Sequence, residues 1–167
     1  MARVLKIALL VVVLLAIFTG GWLVGRLGIG SAVNPASLSN VERQFTERMR
    51  DVRLVGSFTV AGREDRTPRS DGYDIESVEK VGDNLWKFNA GMKCCGVNGT
   101  IPIVVPMRFN GDTPMIMMTD TSLPGLGTFT VRLFFYGDRY AGTWQHGAFG
   151  GLMSGHIEKR TPTDPKP

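Results

Sequence analysis

The sequence has few residues of the types that build metal and catalytic centres. It contains two histidines and two cysteines in 167 residues, and no zinc-binding spacing such as HExxH surrounds His146 or His156. It also lacks a P-loop, a nucleophile elbow and a dinucleotide fingerprint. We therefore predict no metal site, no cofactor and no catalytic residues. An enzyme is the third functional class considered, and it needs a cleft where one histidine meets a carboxylate.

The chain also lacks a dense patch of one charge. Its formal net charge is +4, and the most basic stretch, residues 43–69, is interleaved with acidic side chains such as Glu47, Asp51, Glu64 and Asp65. Phosphate binding favours an unbroken basic stripe, whereas mixed charges are typical of a solvated face. We predict no nucleic-acid partner.

One long stretch has no charged residue at all. Residues 7–25 are uncharged, with Arg3 and Lys6 before them and Arg26 directly after. A bilayer core about 30 Å thick needs roughly 20 apolar residues in a helix. We predict that residues 1–27 form a signal anchor that enters the lipid bilayer through residues 7–25. Positive flanks resist translocation, so the N-terminus stays cytoplasmic and the rest of the chain is periplasmic or extracellular.

Two alternatives concern the same segment. Gly30-Ser31-Ala32 matches a small-x-small cleavage site, but the apolar run exceeds the roughly 7 to 15 residues of a signal peptide and Arg26 interrupts it. An uncleaved anchor is therefore favoured. Gly21 and Gly25 have the spacing that lets two spanning helices approach closely, which would allow a homodimer.

After the anchor, the periodicity of the sequence changes twice. Residues 28–38 are typical of a tether, and Ser39 with Glu42 has the capping-box spacing that begins a short helix. From Val52 the apolar residues alternate with polar ones, as in a strand with one buried face. We predict a β domain over residues 39–159 with a short N-terminal helix, followed by a disordered tail over residues 160–167.

Strand patterns recur along this domain with no helix between them. Their separators are turn sequences such as Gly82-Asp83-Asn84, Asn98-Gly99, Asn110-Gly111 and Gly137-Asp138. The absence of intervening helices excludes a parallel βαβ architecture. We predict an all-β fold, an antiparallel meander of about eight strands that closes as a barrel or packs as a sandwich. The predicted strands cover residues 52–60, 73–81, 85–92, 100–109, 115–119, 128–136, 139–146 and 152–159.

Two prolines mark one of these strands. Pro102 and Pro106 have the same parity, so both remove backbone donors on the same side of residues 100–109. This strand should lie at a sheet edge or beside a gap in an imperfectly closed barrel. The prolines then either protect against edge-to-edge association or mark a site where a partner reaches the sheet.

The two cysteines are adjacent. Cys94 and Cys95 would point to opposite faces of a strand, so they are poorly placed to share a metal ion. In an oxidising compartment they form a strained, redox-active disulfide, stay as packed thiols or make an intermolecular bridge.

Three glycine-rich motifs carry a resemblance. Residues 125–129 (GLGTF), 136–144 (YGDRYAGTW) and 150–155 (GGLMSG) resemble an uncharacterised family of bacterial membrane-anchored proteins with a small β domain in the cell envelope. The resemblance covers most of the chain from Val52 and implies no activity. Gly142-Thr143-Trp144 and the strand count are also similar to lipocalin-like barrels, which carry the Gly-x-Trp in their first strand rather than near the end.

These features predict a membrane-anchored, extracytoplasmic module with a non-catalytic binding or interaction role. Its partner would be an envelope protein or a small ligand. The alternative is a tethered, lipocalin-like carrier of a small apolar ligand, because an eight-stranded barrel can hold one. The candidate wall residues of that carrier are Trp86, Phe88, Met107, Phe109, Phe129 and Trp144. A filled interior would make the same residues an ordinary core.

Overall fold

The computed structural model describes residues 6, 10, 12–15, 17–19, 32–63, 67–94, 97–123 and 127–160, with the backbone alone at 92–94 and 97–98. The chain divides into two compact units, Met1–Ala32 and Val33–Pro167.

In the first unit, the described residues between positions 6 and 19 are helical. Their apolar side chains are exposed, from 49% at Val13 to 72% at Phe18. Within the described part of the chain, no helix is both long and apolar enough to cross a bilayer. The predicted transmembrane helix is therefore not supported by the described fold, and much of it, including residues 20–27, lies outside the described residues. Gly21, Gly25 and the first two residues of the alternative cleavage site lie outside them as well.

The second unit is a closed barrel of eight antiparallel strands, which confirms the all-β meander and decides between barrel and sandwich. Each strand pairs with the next along the chain, and β1 also pairs with β8. A 3₁₀ turn, Pro35–Ser37, and a helix, α1, precede the strands. The elements are α1 (Asn40–Arg48), β1 (Val52–Phe58), β2 (Arg69–Lys80), β3 (Leu85–Cys94), β4 (Val97–Asn110), β5 (Thr113–Leu123), β6 (Gly127–Tyr136), β7 (Arg139–His146) and β8 (Phe149–Lys159).

The predicted turns differ in outcome. Asn110-Gly111 and Gly137-Asp138 are turns as predicted, with φ of +61° at Gly111 and +56° at Gly137. The Asn98-Gly99 turn was wrong, because both residues lie within β4 and pair with Lys93 and Met92. The β3–β4 ladder continues to Cys94 and Val97, and it gains cross-strand hydrogen bonds that a turn at Asn98-Gly99 would lose.

The helix α1 begins with the predicted capping box. The Ser39 N–H donates to Glu42 Oε2 at 2.9 Å, and the Glu42 N–H donates to Ser39 Oγ at 3.4 Å. Glu42 also accepts from Lys80 Nζ at 2.7 Å, which ties α1 to the end of β2. These contacts place the helix across one end of the barrel.

The barrel has two different ends. At the end where β1 begins and β8 finishes, the helix end, the ring of Phe45 from α1 packs 6.0 Å from Trp86, 5.9 Å from Phe109 and 5.6 Å from Phe135. Phe45 and Met49 are almost completely buried there. The opposite end, the rim end, carries the β1–β2, β3–β4, β5–β6 and β7–β8 connections. One hydrophobic core therefore joins the helix to the barrel at the helix end.

The wall of the barrel is least regular between β4 and β5. Ten residue pairs join β3 and β4, whereas among the described residues β4 pairs with β5 only from Met107 to Asn110. The Met107 N–H donates to Asn84 O on the β3 side, so the alternation of a strand directs the nitrogens of Pro102 and Pro106 toward β5. The barrel is closed, so this strand does not lie at a sheet edge, and both prolines lie on the side that faces β5, where the described pairing is short.

The segments around the barrel are described in part. In the predicted tether, the Val33 N–H donates to Lys80 O at 2.7 Å, next to the helix end. The Arg160 N–H, at the start of the predicted tail, donates to Asp51 O at 3.0 Å. Residues 161–167 lie outside the described residues.

Candidate functional site

The six predicted wall residues fall into two groups. Trp86, Phe88 and Met107 are 1%, 6% and 1% exposed and belong to the same buried cluster as Phe45. Phe109 packs 5.6 Å from Trp86 in that cluster. Since α1 covers this end of the barrel, these four side chains contact protein.

Phe129 and Trp144, the other two predicted residues, lie at the rim end. The Phe129 ring stacks on His146, with centroids 4.4 Å apart and planes 14° from parallel. The Trp144 ring meets the edge of Phe58 at 5.6 Å, and its Nε1–H donates to Thr59 O at 3.2 Å. Both aromatic pairs are only partly buried. The rim end is therefore where the structure offers aromatic surface to a ligand.

A depression of about 300 Å³ lies beside Trp144 at the rim end. Strands β6, β7 and β8 supply its wall through Thr130, Thr143, Gln145 and Phe149, and small residues at 148, 150 and 151 complete it. All of the lining residues are uncharged. Phe149 is 58% exposed, so much of its ring faces solvent.

Sequence reasoning identified Trp144 but missed the other residues of this depression. The β7–β8 hairpin pairs Phe149 with His146 and Gly151 with Trp144, and the turn between these strands was not among the predicted ones. Recognising Gly147, which has φ of +59°, as a turn residue would have paired Phe149 with His146, two residues along β7 from Trp144.

A second polar feature lies inside the barrel. Tyr140, Gly155, Gly56 and Asp71 are successive partners across β7, β8, β1 and β2. The Tyr140 hydroxyl is buried and has no hydrogen-bond partner among the described residues. Its pKa is raised to about 12, first by burial and then by the charge of Asp71.

A second tyrosine, Tyr73, lies on β2 two residues after Asp71. Its hydroxyl donates to Asp71 Oδ2 at 2.5 Å. Burial, and then this hydrogen bond to a negatively charged acceptor, raise the pKa of Tyr73 strongly. The hydroxyl groups of Tyr73 and Tyr140 therefore both stay protonated at neutral pH.

The third functional class, an enzyme, required a histidine beside a carboxylate in a cleft. His156 Nε2 lies 2.7 Å from Glu158 Oε1, two residues apart on β8, but both side chains are about half exposed on the outside of the barrel. Neither residue lines the depression at the rim end. In the described parts of the chain, no three histidine, cysteine or acidic residues are grouped to hold a metal ion. The histidine–carboxylate pair therefore lacks the enclosure that acid–base catalysis needs.

The predicted cysteine pair lies partly outside the described residues. Cys94 is the last residue of β3, where the backbone alone is described, and Cys95 lies outside the described residues.

Comparison of the chain with protein-family models, curated proteins and solved structures gave no match. The candidate site therefore depends on its geometry alone.

Proposed function

We propose that this protein is a single-pass membrane protein that displays its barrel outside the cytoplasm as a non-catalytic binding module, with the rim end as its binding surface. One observation carries the proposal. α1 covers the helix end, while the aromatic side chains of the rim end are only partly buried. Large exposed aromatic groups next to a concave surface are typical of ligand sites.

The anchoring part of the proposal depends on residues 7–25. Their lack of charge, the flanking Arg3 and Lys6, and the exposure of side chains such as Leu10 and Phe18 all favour insertion into lipid. We expect the full-length protein to stay in the membrane pellet after an alkaline wash. Val13→Lys combined with Leu15→Lys should release it, because each charge at a helix centre costs about 2.5–3.5 kcal/mol. Release of the unchanged protein would contradict anchoring.

The alternative leader predicts a different mature chain. If cleavage followed Ala32, N-terminal sequencing of the protein from its native host would begin at Val33. We expect instead the intact N-terminal segment. Orientation is tested with a chain in which Cys94 and Cys95 are replaced by serine and a cysteine is introduced at the exposed position Leu152. With a cysteine-reactive reagent that cannot cross the bilayer, labelling in intact cells supports an extracytoplasmic barrel, and labelling only after lysis contradicts it.

The binding part is tested with the full chain purified from its own membrane. Native mass spectrometry in a detergent without sugar groups should show a retained small molecule or partner chain. Phe129→Ala combined with Trp144→Ala should abolish retention, because both rings lie at the rim end. Phe134→Ala is the matched control, since Phe134 is 42% exposed on the outer face of β6. Equal loss in the control would contradict a site at the rim end.

A second candidate is the tethered carrier of a small apolar ligand. It is favoured by the exposed apolar side chain of Phe149 at the rim end, which is 58% exposed. An uncharged naphthylamine dye should then bind with increased fluorescence and be displaced by an apolar extract of the membrane. No fluorescence increase would remove this candidate and leave the interaction module.

A further inference from the structure

A second, smaller hollow lies at the rim end, where β1 connects to β2. Its volume is about 20 Å³, and it is lined by Phe58 from β1, Arg69 from β2 and Arg63 from the segment between them. The other lining residues are uncharged, namely Thr59, Val60, Thr67 and Pro68. We call this site the arginine hollow. It places two positive charges in one concavity beside an aromatic ring.

The two arginines of the hollow have no charged partner in the described part of the chain. Both side chains are exposed, and neither forms an ion pair or a side-chain hydrogen bond with a described residue. Arg53, by contrast, is bound to Asp74 at 2.6 Å. Since each guanidinium group carries five N–H donors, Arg63 and Arg69 have hydrogen-bonding capacity to offer a ligand.

An acidic side chain, Asp71, lies on the same face of β2 two residues beyond Arg69. Its carboxylate accepts from the Tyr73 hydroxyl at 2.5 Å and from the Gly72 N–H at 3.0 Å. One negative charge near two positive ones leaves this part of the rim net positive among the described residues. The hollow therefore attracts anions.

The charged and the aromatic groups lie on one face of the sheet. Phe58 and Arg69 are direct partners across the β1–β2 ladder, so their side chains point to the same side. That side is the inside of the barrel, because Leu54, four residues before Phe58 on the same strand, belongs to the core. The Trp144 ring packs edge-on against Phe58, with centroids 5.6 Å apart. One ligand can therefore contact guanidinium groups and aromatic rings together.

The size of the hollow limits what enters it. A volume of about 20 Å³ admits a single water-sized group and no ring or chain. Only the charged group of a ligand fits there, and the rest of the ligand lies beside it, on Phe58 and Trp144.

The lining also restricts the chemistry of the ligand. Guanidinium groups match the oxygens of carboxylates and phosphates, to which they donate paired hydrogen bonds. A neutral apolar molecule would cover Arg63 and Arg69 without replacing their hydrogen bonds to water. An inorganic anion would leave the aromatic surface beside the hollow without a partner. A molecule with both an oxyanion and an apolar part uses the whole site.

We infer that the arginine hollow binds the oxyanion headgroup, a carboxylate or a phosphate, of a small amphiphile whose apolar part packs on Phe58 and Trp144. This inference rests on the proposed binding function of the rim end, and it names the class of ligand for that surface.

The test uses the full chain in phosphatidylcholine nanodiscs and isothermal titration calorimetry, with empty nanodiscs as the blank. The probes are octanoate and octyl phosphate, with octanamide as the uncharged counterpart and inorganic phosphate as the anion without a chain. We expect one of the two anionic amphiphiles to bind at least about tenfold more tightly than octanamide and inorganic phosphate. The tighter of the two shows whether the headgroup is a carboxylate or a phosphate.

Arginine variants test the position of the charged group. Arg63→Met and Arg69→Met each remove one charge but keep a long side chain, and each should weaken the preferred amphiphile about tenfold. Arg139→Met is the matched control, because Arg139 is an exposed arginine at the helix end. It should leave the dissociation constant unchanged, since salt screens an exposed charge at that distance.

A second pair of variants tests the apolar contact. Phe58→Ala should weaken the preferred amphiphile about fivefold, whereas Phe134→Ala, on the outer face of β6, should not change its binding. Circular dichroism confirms that each variant is folded. Equal binding of the anionic amphiphile and octanamide, equal effects of Arg69→Met and Arg139→Met, or equal effects of Phe58→Ala and Phe134→Ala overturn the inference.

The same experiment separates this inference from the function on which it rests. If neither anionic amphiphile binds while a ligand or partner is retained in native mass spectrometry and is lost with Phe129→Ala and Trp144→Ala, the amphiphile inference fails and the binding module stands. If nothing binds in either experiment, both fail.

Discussion

At the scale of single residues, glycines shape the inside of the barrel around Tyr140. A Cβ at Gly155 would lie 2.8 Å from Tyr140 Cε1, and a Cβ at Gly56 would collide with the Tyr140 hydroxyl and with Ser154 O. The tyrosine ring therefore lies over two strands that have no side chain at that level. This arrangement brings the Tyr140 hydroxyl to Gly56 of β1, which pairs with Asp71 of β2.

Gly56→Ala tests this packing. The added methyl group has no space, so we expect the free energy of unfolding to fall by about 1–3 kcal/mol. Gly72→Ala is the matched control, because its Cβ would meet Leu54 O at an ordinary 3.6 Å, and its effect should stay within about 0.5 kcal/mol. Urea denaturation measures both, and equal effects would contradict the packing described.

The buried tyrosine also predicts an alkaline transition. The pKa of Tyr140 is raised to about 12 by burial and by Asp71, so between about pH 10 and 12 the folded chain holds a proton that the unfolded chain has lost. Stability therefore falls with rising pH in this window, by up to about 1.4 kcal/mol per pH unit for this group. Denaturation at several alkaline pH values should show a shallower fall for Tyr140→Phe. An unchanged slope would contradict the burial of an ionisable hydroxyl.

At the scale of elements, the helix α1 is held by the carboxylate of Glu42, which accepts hydrogen bonds from Lys80 and Ser39. Glu42 is partly buried, which opposes ionisation, but the hydrogen bonds from Lys80 and Ser39 outweigh this and lower its pKa. A lowered pKa in the folded state gives stability that is present above the unfolded value and lost as the pH falls through the folded value.

Acid should therefore weaken the attachment of α1 to β2. We expect the free energy of unfolding to decrease as the pH falls below about 4.3, the ordinary pKa of a glutamate. Glu42→Gln should reduce this dependence, whereas Glu47→Gln, at an exposed position of the same helix, should not. Identical acid profiles for Glu42→Gln and the unchanged chain would refute the role of this contact.

A second prediction at this scale concerns the two prolines of the strand β4. Pro102 and Pro106 remove two backbone N–H donors from the side of β4 that faces β5. Among the described residues, β4 pairs with β5 only beyond them, from Met107 to Asn110. Pro102→Val combined with Pro106→Val restores both N–H groups, and we expect self-association to rise while the barrel keeps its thermal stability. Val104→Ile adds apolar surface without a donor and is the control. Analytical ultracentrifugation distinguishes them, and a monomeric double variant would contradict edge protection.

At the scale of the whole molecule, helix and barrel share one core. Phe45 from α1 contacts side chains of β3, β4 and β6, elements far apart in the sequence. The helix should therefore unfold together with the barrel and not before it.

The variant Phe45→Ala tests whether the helix and the barrel unfold together. Removing a buried ring from the helix end should lower the free energy of unfolding by about 3–5 kcal/mol, and circular dichroism and tryptophan fluorescence should report one common transition, since Trp86 lies next to Phe45. Phe134→Ala, on the exposed outer face, should cost less than about 1 kcal/mol. Separate transitions would show that α1 is not part of the barrel core.

Local chemistry explains which predictions from the sequence were confirmed. The capping box, the turns at Gly111 and Gly137 and the alternation of β4 depend on neighbours in the chain. The Asn98-Gly99 turn failed because a turn sequence competes with the ladder that surrounds it, and the cross-strand pairs at Lys93 and Met92 lie outside the local pattern.

The sequence by itself determined that residues 52–159 form consecutive antiparallel strands, because side-chain alternation and turn residues act over a few positions. It also identified the uncharged segment on which the proposed anchoring depends. Only the tertiary structure decided that the sheet closes as a barrel, that α1 covers one end, and that Trp86 and Trp144 lie in different environments. Alternation shows which side chains share a face of a strand, but burial along that face is set by what covers each end of the barrel.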